Sequence, residues 1–136
     1  MANGRKQLTT KKSGAFQKRS HPEADIQVAC VNYLTMLERM NVLRFHATPN
    51  GGSRNVREAV NLKRQGVRPG VPDICVMLAY GPTLWFELKA PKGKPTHQQL
   101  DFIAWANTHG HPAWIVRGVD EMDGILRGYM GKARAA

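Results

Sequence analysis

A chain of 136 residues carrying 20 Lys and Arg against 10 Asp and Glu, a formal net charge of +10, is long enough for one core and too short for two ordinary domains. The positive excess favours a polyanionic partner, with nucleic acid ahead of an anionic membrane surface, because no apolar run has membrane-spanning length and no lipidation signature is present. The N-terminus has charge without an apolar segment, which argues against a secretory signal and for a cytoplasmic protein. Cys30 and Cys75 lie far apart in apolar patterns, as expected of two buried free thiols rather than a disulfide or a zinc site.

Residues 1–20 contain Arg5, Lys6, Lys11, Lys12, Lys18 and Arg19 and no acid, so they read as a flexible basic arm, either a phosphate-binding tail or a solubilising extension. Residues 21–136 form the single domain. Ser20-His-Pro-Glu23 has capping-box spacing, and Ile26, Cys30, Tyr33, Leu34 and Leu37 then recur at helical spacing, with Glu23 and Gln27 beside that stripe. A short strand is expected over residues 42–47, and Thr48-Pro-Asn-Gly-Gly52 is a loop. A second helix can start at Ser53 and run to Gly66, displaying Arg54, Arg57, Lys63 and Arg64. Two apolar runs, residues 74–80 and 84–88, meet at Gly81-Pro82 as a buried hairpin. Lys92-Gly-Lys94-Pro95 is a basic loop, and Thr96-His-Gln-Gln99 opens a third helix that carries Leu100, Ile103 and Ala104 inward and ends at Gly110. A strand over residues 111–116 and a helix over residues 120–129, with acids in its first turn, complete the chain. The order α, β, α, β-hairpin, α, β, α predicts an α/β (α+β) domain, a central mixed sheet flanked by helices.

Asp73 and Glu87 stand in this apolar hairpin, with Lys89 two residues further on. Glu87 and Lys89 share one face of their strand while Phe86, Leu88 and Leu84 share the other, so one face is core and the other is free to be a site. Asp73 joins that face only if the hairpin loop has an odd number of residues or a bulge intervenes, because a two-residue loop puts it on the wrong side. With the right register, two carboxylates and the carbonyl of Leu88 suit Mg²⁺ or Mn²⁺. Lys89 can then orient or deprotonate a water for in-line attack on a phosphodiester. The alternative is a Glu87–Lys89 ion pair on a solvent-facing strand, with Asp73 a turn residue after Pro72.

Pro72-Asp73 followed by Glu87-x-Lys89 resembles the signature of the PD-(D/E)xK nuclease superfamily. The surroundings resemble its VRR-NUC branch: Glu23 with Gln27, Asn50-Gly-Gly-Ser-Arg54, the Lys63-to-Asp73 run, Glu87-Leu-Lys89 and Gln99 occur in the same order across roughly residues 21–118. The resemblance implies a restriction-endonuclease-like αβββαβ core and a metal-dependent DNA endonuclease. Asp73 and Glu87 would bind the metal, with Glu23 completing its surroundings, Lys89 serving the nucleophilic water and Gln99 supporting the site. Glu23 and Gln99 each have a capping role as the alternative. Asn50 and Arg54 would flank the site, and with Lys63, Arg64, Lys92 and Lys94 would contact DNA. Single-domain relatives of this kind imply a homodimer that cuts branched DNA, four-way junctions in particular; flap or duplex cutting is the alternative.

Two other readings remain. His46-Ala-Thr-Pro-Asn50, with His97, His109 and His111, superficially resembles His-Asn-His nucleases but does not sit on a tight ββα unit. A non-enzymatic basic binder of nucleic acid would keep its acids for structure, and would function unchanged without Asp73.

Overall fold

Leu84, Phe86 and Leu88 occupy alternate positions of one strand and are fully buried, and the rest of the core assembles on the face they define. In the computed structural model, which describes residues 21–49 and 55–135, the elements follow the order α1 (Pro22–Arg39), β1 (Leu43–Ala47), α2 (Val56–Arg64), β2 (Ile74–Leu78), β3 (Thr83–Leu88), α3 (His97–Thr108), β4 (Ala113–Val116) and α4 (Val119–Ala135). The basic arm, Ser20, Asn50, Ser53 and Arg54 lie outside the described residues.

The strands form one mixed sheet in the order β1-β2-β3-β4. β1 and β2 are antiparallel, as are β2 and β3, whereas β4 runs parallel to β3 after the crossover through α3. Cys30, Leu34 and Leu37 of α1 and Met122 and Leu126 of α4 bury against the Leu84/Phe86/Leu88 face. Phe86 stacks on Trp114, their centroids 5.5 Å apart. On the opposite face α3 covers Trp85, with Phe102 set edge-on at 5.9 Å. The architecture is therefore α+β, as expected, and both thiols are buried and free. Among the described residues no helix is long and apolar enough to cross a membrane.

Several local expectations are corrected. α1 starts one residue late for the Ser20 capping box: its N-cap is His21, which makes no side-chain cap hydrogen bond, and Pro22 opens the helix. Proline fixes φ near the helical value and has no N–H to satisfy, which favours it at the first helical position and the preceding residue as the cap. α2 is capped by Asn55, whose side chain accepts from the Glu58 N–H at 2.8 Å, instead of starting at Ser53. α3 turns Phe102, Ile103 and Ala106 inward and leaves Leu100 and Ala104 exposed, because Phe102 fits against Trp85. It ends through Gly110 at φ +82°, as expected of a left-handed helix stop. α4 continues past Tyr129 to Ala135, where Met130, Lys132, Ala133, Arg134 and Ala135 have good helix propensity and outweigh Gly131.

Candidate active site

The hairpin register decides whether the acids meet. β2 and β3 pair Met77 with Thr83, Val76 with Leu84, Cys75 with Trp85 and Ile74 with Phe86. Five residues, 78–82, therefore connect the last paired positions, an odd number, instead of the two-residue Gly81-Pro82 turn. Extended by one position, this register sets Asp73 opposite Glu87 on the face away from the core. The connection is long because Ala79 still donates to Val42 at 2.9 Å, prolonging the β1 edge.

Asp73 is fastened on two sides. Its carbonyl accepts from the Thr48 N–H at 2.7 Å, and its Oδ2 accepts from the Leu88 N–H at 2.8 Å. Just upstream, Gly70 has φ +86°, and a Cβ there would lie 2.6 Å from the backbone of Gln98. The loop before Asp73 thus packs backbone to backbone on the start of α3, a close approach only glycine permits.

Glu87 is 1% exposed, and neither carboxylate oxygen has a hydrogen-bond partner. The Lys89 ammonium lies 3.3 Å from Oε1 as an ion pair, at a geometry short of a hydrogen bond. Burial, with the Asp73 charge adding to it, pushes the Glu87 carboxyl up to about 7 against the pull of Lys89. An acid in this condition is held by the fold at a cost, since a buried polar group without a partner is unfavourable. A cation between Glu87 and Asp73 would remove the penalty, so these residues fit a hard divalent metal.

Lys89 is itself buried, and its ammonium also comes within 3.9 Å of Glu23 Oε1 at the first turn of α1. Because the cap is His21, Glu23 serves no capping box; it meets Lys89. Glu23 thus meets the site through Lys89; among the described residues no group of three or more His, Cys, Asp and Glu side chains is assembled around a metal position. The Leu88 side chain belongs to the core, and its N–H orients Asp73.

Gln99 forms the expected capping box: its Oε1 accepts from the Thr96 N–H at 2.8 Å while the Thr96 hydroxyl accepts from the Gln99 N–H at 3.2 Å. Lys63 and Arg64 are exposed on the last turn of α2, and Lys92 and Lys94 are exposed beyond β3. Asn50 and Arg54 lie outside the described residues. The histidines of the alternative reading are dispersed and exposed: His46 on β1, His97 at the start of α3, and His109 and His111 stacked against Trp105.

One residue of this neighbourhood had no signal in the sequence. Arg117, just past β4, donates from Nη1 to the carbonyls of Ala90, Gly93 and Pro91 at 2.6, 2.8 and 3.3 Å, and so ties down the segment that follows Lys89. A lone arginine after a strand has no motif to mark it.

No family model matches the sequence, and no curated protein matches it significantly. Solved structures do. A "VRR_NUC domain protein" superimposes with a TM-score of 0.64 at 20% identity, covering 84% of this chain and 92% of the other. A "VRR_NUC domain" superimposes with a TM-score of 0.57 at 17% identity, covering 79% and 97%. At these identities the likeness is one of fold, and the chain has the fold of a VRR_NUC domain.

Proposed function

We propose that this chain is a divalent-metal-dependent deoxyribonuclease that hydrolyses phosphodiester bonds, with branched DNA such as a four-way junction as its substrate. The observation that carries the reading is Glu87, a carboxylate 1% exposed with neither oxygen hydrogen-bonded, set by register on the same face as Asp73. A position needed only for packing would take an apolar side chain, because an unsatisfied buried charge costs several kcal/mol.

Asp73, Glu87 and the carbonyl of Leu88 are oxygen donors of the kind Mg²⁺ or Mn²⁺ prefers, with Glu23 reaching the same neighbourhood through Lys89. Such a cation supplies positive charge against the phosphoryl oxygens as they gain charge in the transition state. The remaining tasks fall to side chains. Lys89 donates toward the attacking water or a phosphoryl oxygen, and its ion pairs with Glu87 and Glu23 hold its ammonium in place. The Leu88 N–H fixes the Asp73 carboxylate so that one of its oxygens stays turned to the site.

Substrate choice rests on charge and form. Lys63, Arg64, Lys92 and Lys94, together with Asn50 and Arg54, supply contacts that position a phosphate backbone without reading sequence. Structure-selective cutting by a homodimer, each copy offering one site to one strand of a junction, fits that surface and the resemblance in sequence. The test is cleavage of end-labelled four-way junction, flap and linear duplex with Mg²⁺, Mn²⁺ or EDTA. Paired symmetric cuts in the junction that need the metal and Glu87 support the whole reading. Cutting of flap or duplex alone replaces the substrate, and tight binding without cleavage under any metal makes the chain a basic binder.

A further inference from the structure

Residues 90–95 join Lys89 to α3 without secondary structure of their own, and their shape is set from outside. The Arg117 Nη1 gathers the carbonyls of Ala90, Gly93 and Pro91 at 2.6, 2.8 and 3.3 Å. Within the segment, the Gly93 N–H donates to Ala90 at 2.9 Å, and a Cβ on Gly93 would come within 3.3 Å of that oxygen. Arg117 is delivered there by the sheet: the Lys89 N–H donates to the Val116 carbonyl at 3.0 Å, and Glu121 of α4 accepts from the Arg117 N–H at 3.3 Å. With its carbonyls turned inward to one guanidinium, the loop leaves Lys92 and Lys94 exposed.

The Arg117 guanidinium is met by the loop carbonyls, and the Glu121 carboxylate lies on its backbone N–H, so Arg117 serves to shape the loop and the outward charge is that of Lys92 and Lys94. No acid occurs between Lys89 and Asp101. A loop with ordered backbone, two outward lysines and no neighbouring acid in sequence is suited to phosphate, and it begins immediately after the site lysine. Phosphate contacts fix the register of a nucleic acid strand.

We infer that residues 90–95 form a phosphate-binding loop beside the site and that Arg117 is its positioning residue, acting on DNA through Lys92 and Lys94. This rests on the DNA-cleaving reading above. Arg117, occupied by carbonyls, touches no phosphate in this arrangement. Its effect on binding must therefore disappear when the two lysines are absent.

That dependence is measured by a mutant cycle on binding of a labelled four-way junction in EDTA, as a function of salt. Lys92→Ala/Lys94→Ala makes the slope of log Kobs against log salt shallower by about 1.8, from about 0.9 for each lost phosphate contact. Arg117→Ala reproduces most of that change, and the triple variant adds little to the double one. Circular dichroism checks that each variant is folded. Additive effects, or an Arg117→Ala slope equal to wild type, overturn the inference. A lysine pair whose removal leaves the slope unchanged overturns it as well, even if Arg117→Ala does not fold. A wild-type chain that binds no DNA sinks the nuclease reading with it, whereas one that binds and cuts while the cycle is additive sinks only the role of Arg117.

Discussion

Asp123 on α4 and Glu87 on β3 are both carboxylates packed into this domain, and they are treated in opposite ways. Asp123 accepts from the Tyr33 hydroxyl and from Arg127 Nε, the latter at 2.8 Å. These partners, the tyrosine first, hold its carboxyl below the ordinary range, while burial and the hydrogen bond to Asp123 push the Tyr33 hydroxyl up. Glu87 has an ion pair and no hydrogen bond, and is pushed up to about 7. Donors are matched to acceptors where α1 meets α4. At the other region acceptors are left over. An acid given its partners is part of the packing, whereas an acid denied them marks a candidate site.

Removing the leftover acceptor gives the largest expected effect. Glu87→Gln keeps the shape and lowers cleavage by about 10³-fold or more, the scale for loss of a group central to catalysis. In EDTA it removes a buried carboxyl that has no hydrogen bond but leaves the buried Lys89 ammonium with only Glu23, 3.9 Å away, so the variant is no more stable than wild type. Asp73→Ala abolishes cleavage as well, but it also orphans the Leu88 N–H and costs about 1–3 kcal/mol. Urea denaturation of both variants separates the two cases. A Glu87→Gln protein that cuts normally breaks the comparison outright.

A pH titration sharpens it. In metal-free protein Glu87 has a folded value near 7 against 4.5 for the ordinary carboxyl, so between these values the folded state binds the extra proton. Stability is therefore greatest below pH 4.5 as far as this group is concerned, and falls as pH rises through about 7, by on the order of 3 kcal/mol. Wild type minus Glu87→Gln in urea, measured across that window in EDTA, isolates the effect. Mg²⁺ at neutral pH restores the lost stability, because a ligand that binds the folded state adds to it. A difference curve that is flat in pH means that Glu87 has a partner after all.

At the matched region the expected change is smaller and of another kind. Tyr33→Phe deletes the hydroxyl that Asp123 accepts from and lowers Tm by about 3 °C, with cleavage unchanged. Differential scanning calorimetry beside the junction assay checks both halves. Loss of activity without loss of Tm would make Tyr33 and Asp123 part of the chemistry.

How much of this was legible in the sequence follows from the range of each interaction. Strand alternation placed Glu87 and Lys89 opposite Leu84, Phe86 and Leu88 because side-chain parity is local. The parity argument also required an odd loop or a bulge near Asp73, and residues 78–82 supply the odd loop; its length was hidden because Ala79 is held by Val42, a partner remote in the chain. The His21 cap was readable from Pro22, yet the Ser20 spacing was the louder signal. Glu23 was placed near the site only by resemblance, and its contact with Lys89 joins the first helix to the third strand. Arg117 lies furthest from legibility, since its partners are backbone carbonyls that any sequence provides.

The smallest effect concerns Gln99, whose two readings, helix cap and site support, are separated by mutating both members of its capping box. Its Oε1 holds the Thr96 N–H and its own N–H is held by the Thr96 hydroxyl, so the pair acts as one unit at the start of α3. That helix start also carries Gln98, against which Gly70 packs ahead of Asp73. If Gln99 serves only the cap, Thr96→Ala and Gln99→Ala each cost about 1 kcal/mol, cleavage at saturating DNA is unchanged in both, and Gln99→Glu, which preserves the box, restores stability. This is the expected result, because the amide oxygen is already engaged. If Gln99→Ala lowers the single-turnover rate while Thr96→Ala at the same loss of stability does not, the amide nitrogen of Gln99 serves the site, and the cap is how α3 aims it.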